Sequence, residues 1–119
     1  MSNESIASQL AKARKDHQQQ RIIEVPEWTI DGVPLKIYVY PLTAGDLVKL
    51  ERKHKDFMQR QTMESMIDLI ILKAGDADGN RLFTLADKTH LSDEPLEVVS
   101  TVAAQMFGQI DSVEDAEKN

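Results

Sequence analysis

The oxygen-bearing side chains whose spacing most resembles a metal-ligand pattern in this 119-residue sequence lie between Asp76 and Asp87. A calcium-binding helix-loop-helix places its oxygen ligands at the first, third, fifth, seventh, ninth and twelfth loop positions. Counted from Asp76, those positions hold Asp76, Asp78, Asn80, the backbone of Leu82, Thr84 and Asp87. Phe83 even occupies the apolar eighth position. Two features oppose the reading. The sharp-turn glycine belongs at the sixth position, which is Arg81, while Gly79 falls at the fourth. The bidentate glutamate that should close the loop is the shorter Asp87. The pattern therefore reads as a polar turn between helices, and no metal or other cofactor is expected.

Other chemistry finds less support. The histidines His17, His54 and His90 are far apart, and the chain has no cysteine. That removes disulfides, thiolate zinc sites and cysteine nucleophiles. No His-Glu-x-x-His, Gly-x-Ser-x-Gly or phosphate-loop pattern occurs. The chain is accordingly read as non-enzymatic, with His54 a partly buried core histidine. Lys49, Arg52, Lys53, Lys55 and Arg60 form a basic stretch interleaved with Glu51 and Asp56. It reads as a solvated helix face rather than a phosphate-binding patch. What remains is recognition by apolar groups. Trp28 is the only tryptophan, Leu82 and Phe83 stand together after the polar turn, and Met58 and Met63 are adaptable apolar side chains. These five are the candidate partner-binding residues.

Composition bounds the possibilities further. The formal charge of −6 lacks the basic footprint of a duplex-binding module. No apolar run approaches the roughly 18 residues needed to cross a bilayer, and Asp68 breaks the longest one, Met66 to Leu72. The polar start lacks the apolar stretch of a secretory signal. These features lead to an expectation of a cytoplasmic protein that engages neither nucleic acid nor membrane. Charge is unevenly spread: residues 1–21 carry a net +2 and residues 111–119 a net −3. The expected organisation is a flexible polar arm over 1–21, one domain over 22–110 and an acidic disordered tail over 111–119. Ile6, Ala7, Leu10 and Ala11 would support a short helix within the arm.

The elements that position the candidate residues follow from periodicity. Ile30-Asp-Gly-Val33 predicts a hairpin closed by a type I′ turn. Pairing of Ile30 with Val33 would pair Trp28 with Leu35. It would also put Trp28, Ile30, Val33, Leu35, Ile37 and Val39 on one buried face. Pro26 and Pro34 suggest edges and a short sheet. Thr43-Ala-Gly-Asp46 resembles a capping box opening a helix over 43–60, with Leu47, Leu50, His54, Phe57 and Met58 on one side. Met63, Met66, Ile67, Ile70, Ile71 and Ala74 recur at helical spacing, widened by Leu69 and Leu72, and mark a buried central helix. Thr84–Asp87 starts a short helix reaching about Leu91. Ser92 or Asp93 caps a last one carrying Val99, Val102, Ala103, Met106, Phe107 and Ile110. The fold class is α+β, an N-terminal β-hairpin packed on three to four helices.

Three segments in this order carry a resemblance. They are Glu24-Val-Pro-Glu-Trp28, Leu42-Thr-Ala-Gly-Asp46, and Asp76-Ala-Asp-Gly-Asn-Arg-Leu-Phe-Thr84 followed by Asp87. Over about residues 22–107 the chain resembles the tail assembly chaperones of long-tailed bacteriophages, in their short form. The resemblance implies binding rather than catalysis. Such proteins coat the tape-measure protein, keep its apolar helices soluble and help recruit tail-tube subunits. Many also exist in a longer frameshifted form, a further implied partner. They act in the host cytoplasm and are absent from the mature virion. Two other classes stand beside this one: a structural tail or neck component retained in the particle, and a small DNA-binding regulator using the helix over 43–60.

Overall fold

The computed structural model describes residues 5–17 and 21–118, and side chains at 5–13 and 21–107. Asp31 and Gly32 both take positive φ, 53° and 78°, the pairing that a type I′ turn demands. They join β1 (Arg21–Ile30) to β2 (Val33–Val39) as an antiparallel hairpin. The register begins as expected, with Ile30 opposite Val33 and Thr29 opposite Pro34. It then slips, because Val25 rather than Trp28 faces Leu35. Residues 26–28 bulge out of the ladder, and the Thr29 hydroxyl closes the bulge by donating to the Pro26 carbonyl at 2.7 Å. Pro26 has no N–H to lose there.

The slip changes which side chains are buried. Ile23, Val25, Ile37 and Val39 form the core face, and Leu35 is half-buried. Ile30 and Val33, expected in that core, are 60% and 61% exposed. A third strand, β3 (Ala74–Gly75), adds to β2 opposite Tyr38 and Val39 and makes β2 central. Gly75 lets the strands pass closely here: a Cβ would stand 3.3 Å from the Asn80 and Tyr38 carbonyl oxygens and crowd them.

Helices cover the sheet. Two capping boxes start the first pair: Thr43 with Asp46 opens α2 (Ala44–Lys53), and Thr62 with Ser65 opens α3 (Met63–Lys73). The helix expected over 43–60 is shorter than its apolar spacing implied. His54 caps α2, Asp56 adopts φ 61°, and the Glu51 carboxylate accepts from the Phe57 and Met58 amides. The turn swings Phe57 into the core, fully buried, while Met58 stays half-buried. α3 is central as expected, with Ile67, Leu69, Ile70 and Ile71 buried.

A short 3-10 turn (Leu85–Asp87) leads into α4 (Lys88–Ser92), and α5 (Leu96–Lys118) follows. The Ser92 hydroxyl donates to the Lys88 carbonyl instead of capping α5, whose first turn is closed by Val98 and Val99 amides on the Pro95 carbonyl. Val98, Val99, Val102, Ala103 and Met106 of α5 pack into the core; Ile110 lies outside the described side chains. The backbone stays helical through Lys118, where composition suggested a disordered acidic tail. At the other end α1 (Ile6–His17) forms the short helix expected within the arm, with Ile6 and Leu10 largely exposed. The rest of that arm, residues 1–4 and 18–20, lies outside the described residues. The architecture is α+β, as the sequence pattern indicated.

Candidate functional site

The bulge in β1 turns Trp28 away from the ladder and toward Phe83. Their rings meet edge to face, with centroids 6.1 Å apart and planes at 73°, a favoured arrangement for aromatic quadrupoles. Around them lies an open groove of 660 Å³ between the hairpin end and α4. Its floor is apolar: Trp28, Leu35, Leu82, Phe83 and Leu91, continued by the exposed Ile30. Its edge is acidic, supplied by Glu27, Asp87, Asp93 and Glu94, with His90 also present. The Trp28 indole nitrogen is buried without a hydrogen-bond acceptor.

Of the five candidate residues, Trp28, Leu82 and Phe83 share this groove. Met63 lies in a neighbouring one, with Leu91, Leu96 and Val99, and its sulfur accepts from the Ser100 hydroxyl at 3.7 Å. Leu91 and Glu94 line both grooves, so α4 forms a wall between them. Met58 belongs to neither and sits on the turn after α2. The acidic edge was missed, because Asp87 counts with the polar turn and Asp93 as a helix cap.

The Asp76 loop has a structural job. One Asp76 carboxylate oxygen accepts from the amides of Asp78 and Asn80, both at 2.9 Å. Asp87, the would-be closing ligand, accepts from the Thr84 amide at 2.9 Å and starts the 3-10 turn. Among the described residues no cluster of His, Asp and Glu could hold a metal ion. With Asp76 and Asp87 both engaged by backbone amides, millimolar calcium is expected to leave the amide NMR shifts of residues 76–87 unmoved. Saturable shifts confined to that loop would reverse the assignment.

A second polar feature escaped the sequence reading. Asp68, near the middle of α3, is 8% exposed and collects cations from two other segments. Its Oδ2 lies 2.6 Å from His54 Nε2 and 3.2 Å from Lys53 Nζ. Its Oδ1 faces Lys88 Nζ at 3.3 Å as an ion pair, without hydrogen-bond alignment. Lys88 also bonds Glu64 at 3.0 Å. Burial opposes ionisation of Asp68, but the His54 bond and the nearby Lys53 and Lys88 ammonium groups together outweigh it and hold the carboxyl below its usual range. The cluster ties the end of α2 and the start of α4 to α3. It also shows that Lys53 of the basic stretch does more than face solvent. His54 is partly buried, as expected.

Comparison with known proteins bears on the whole arrangement. The solved structure of the bacteriophage HK97 tail assembly chaperone superposes with a TM-score of 0.55 at 18% identity. The match covers 90% of this chain and 99% of that one. The two proteins share a fold. No protein-family model and no curated protein matches the sequence. The sequence resemblance to tail assembly chaperones therefore has a counterpart in three dimensions. Among the described residues no helix is long and apolar enough to cross a membrane.

Proposed function

We propose that this chain is a non-enzymatic tail assembly chaperone of a long-tailed bacteriophage. It would bind and solubilise the tape-measure protein and help recruit tail-tube subunits, alongside any longer frameshifted form of itself. It would act in the host cytoplasm and leave before the virion is complete. The supporting observation is the likeness in fold to the HK97 chaperone over 90% of this chain and 99% of that one. The physical character of the surface agrees. An apolar groove with an acidic edge, on a chain of net charge −6, can cover apolar segments while the complex stays soluble. Trp28, Leu82 and Phe83, with Met63 across α4 and Met58 beyond, are the proposed contact residues.

Co-expression tests the reading. A tape-measure protein encoded beside this chain is expected to move from the insoluble to the soluble fraction and to co-purify with it. Equal insolubility with and without this chain would sink the proposal. Stoichiometric recovery of the chain from mature tails would favour a retained structural component instead.

A further inference from the structure

The Trp28 groove has a chemistry that selects its occupant. Its floor is an aromatic and aliphatic surface built around the Trp28–Phe83 pair, and the 60% exposed Ile30 extends it beyond the hairpin end. Glu27, Asp87, Asp93 and Glu94 supply its charged edge, with no lysine or arginine in the lining. Like charge on an occupant would be repelled, and opposite charge would be drawn in. Strand addition fits poorly. β1 is an outer strand, but at the groove its residues 26–28 are out of register and Pro26 offers no N–H. A helix needs no backbone ladder from its host. It presents an apolar stripe at i, i+3 and i+4 spacing, with charges on either flank.

We infer that this groove receives a basic amphipathic α-helix of another protein. Its apolar stripe covers the Trp28–Phe83 pair, and lysines or arginines on its flanks meet Asp87, Asp93, Glu94 and Glu27. The owner of the helix rests on the chaperone reading, which makes it a segment of the tape-measure protein; the groove's preference for a basic helix rests on the geometry alone.

Trp28 is the sole tryptophan, so its emission reports occupancy of the groove directly. The probes are two synthetic helical peptides of about 18 residues, long enough to exceed the marginal length for helix formation. They share one leucine stripe and carry either lysine or glutamate on its flanks. The full chain is expected to show a saturable blue shift with the lysine peptide and to bind it at least about tenfold more tightly than the glutamate peptide at low salt. That gap should shrink at high salt, where edge charges are screened. The double variant Asp93→Lys, Glu94→Lys should narrow or invert the preference. Equal binding of both peptides, or an unchanged preference in the double variant, would overturn the inference. An unmoved Trp28 emission, with the tape-measure protein still solubilised, would overturn the groove and leave the chaperone reading standing. A clear lysine preference without solubilisation would do the opposite.

Discussion

Phe57→Ala is expected to lower the unfolding free energy by about 3–5 kcal/mol, the usual loss for a buried phenylalanine. The ring is fully buried and meets Phe107 edge to face, with centroids 5.5 Å apart. It occupies the turn that ends α2, where the Glu51 carboxylate holds the local amides and the Gln61 side chain donates to the Phe57 carbonyl. Truncation would open a void next to Leu69, Ala103 and Phe107, where a 210 Å³ cleft already lies. The surrounding backbone is tied by these bonds and has little room to collapse. Against a typical total of about 5–15 kcal/mol, such a loss leaves a marginal fold. Urea denaturation would show it as a lower midpoint with an unchanged slope. Met58→Ala, one residue on and half-buried, should cost clearly less. A continuous helix over 43–60 put both residues on one apolar stripe and implied similar losses. Equal destabilisation by the two variants would therefore contradict the turn.

That contrast marks where the sequence signal ended. The start of α2 was visible in Thr43 and Asp46, because a capping box is local and its partners are three residues apart. Its end was not. No glycine or proline stands between His54 and Gln59, and the break depends on Asp56 taking positive φ and on Glu51 folding back over the turn. The hairpin behaves the same way. Asp31-Gly32 declared the turn, whereas the register slip depends on a bond within the bulge and on Phe83, a residue far along the chain.

The groove was half visible for the same reason. Trp28, Leu82 and Phe83 could be singled out by type as apolar anchors. That they share one surface needed the sheet and α4 in place. Asp87 on its edge does act locally, on the Thr84 amide. Charge that serves a turn and also faces a groove carries no mark in sequence that separates the two uses.

Asp68 is the sharpest case, and it carries the second large prediction. In the sequence it only interrupts an apolar run; in the fold it is the shared anion for Lys53 and Lys88 and a hydrogen-bond partner of His54. Asp68→Asn would remove the charge that Lys53 faces and the acceptor oxygen beside His54, and would leave Lys88 with Glu64 alone. Removing one member of a fully buried ion pair costs about 3–5 kcal/mol. Here Lys53 is 50% and Lys88 27% exposed, so water can take over part of the solvation, and a loss of about 2–3 kcal/mol at neutral pH is expected. The pH dependence follows from the lowered carboxyl pKa values of Asp68 and Asp46. For Asp46, burial again opposes ionisation and bonds from Lys73 and Thr43 prevail. A carboxyl whose pKa is depressed by folding contributes its full stability above the unfolded value, about 3.9 for aspartate, and loses it as pH falls through the folded value. The wild-type contribution from both groups should thus be level from neutral pH to about 5 and decline below about 4. Asp68→Asn has no proton to gain at that position, so its stability should start lower and fall less steeply on acidification. The two curves should converge in acid, with the remaining slope of the variant owed partly to Asp46 and its Lys73 bond. Urea midpoints measured across this range would read both effects. Parallel curves would show that the cluster is electrostatically idle, and a variant as stable as wild type at neutral pH would show that His54, Lys53 and Lys88 do not need the charge.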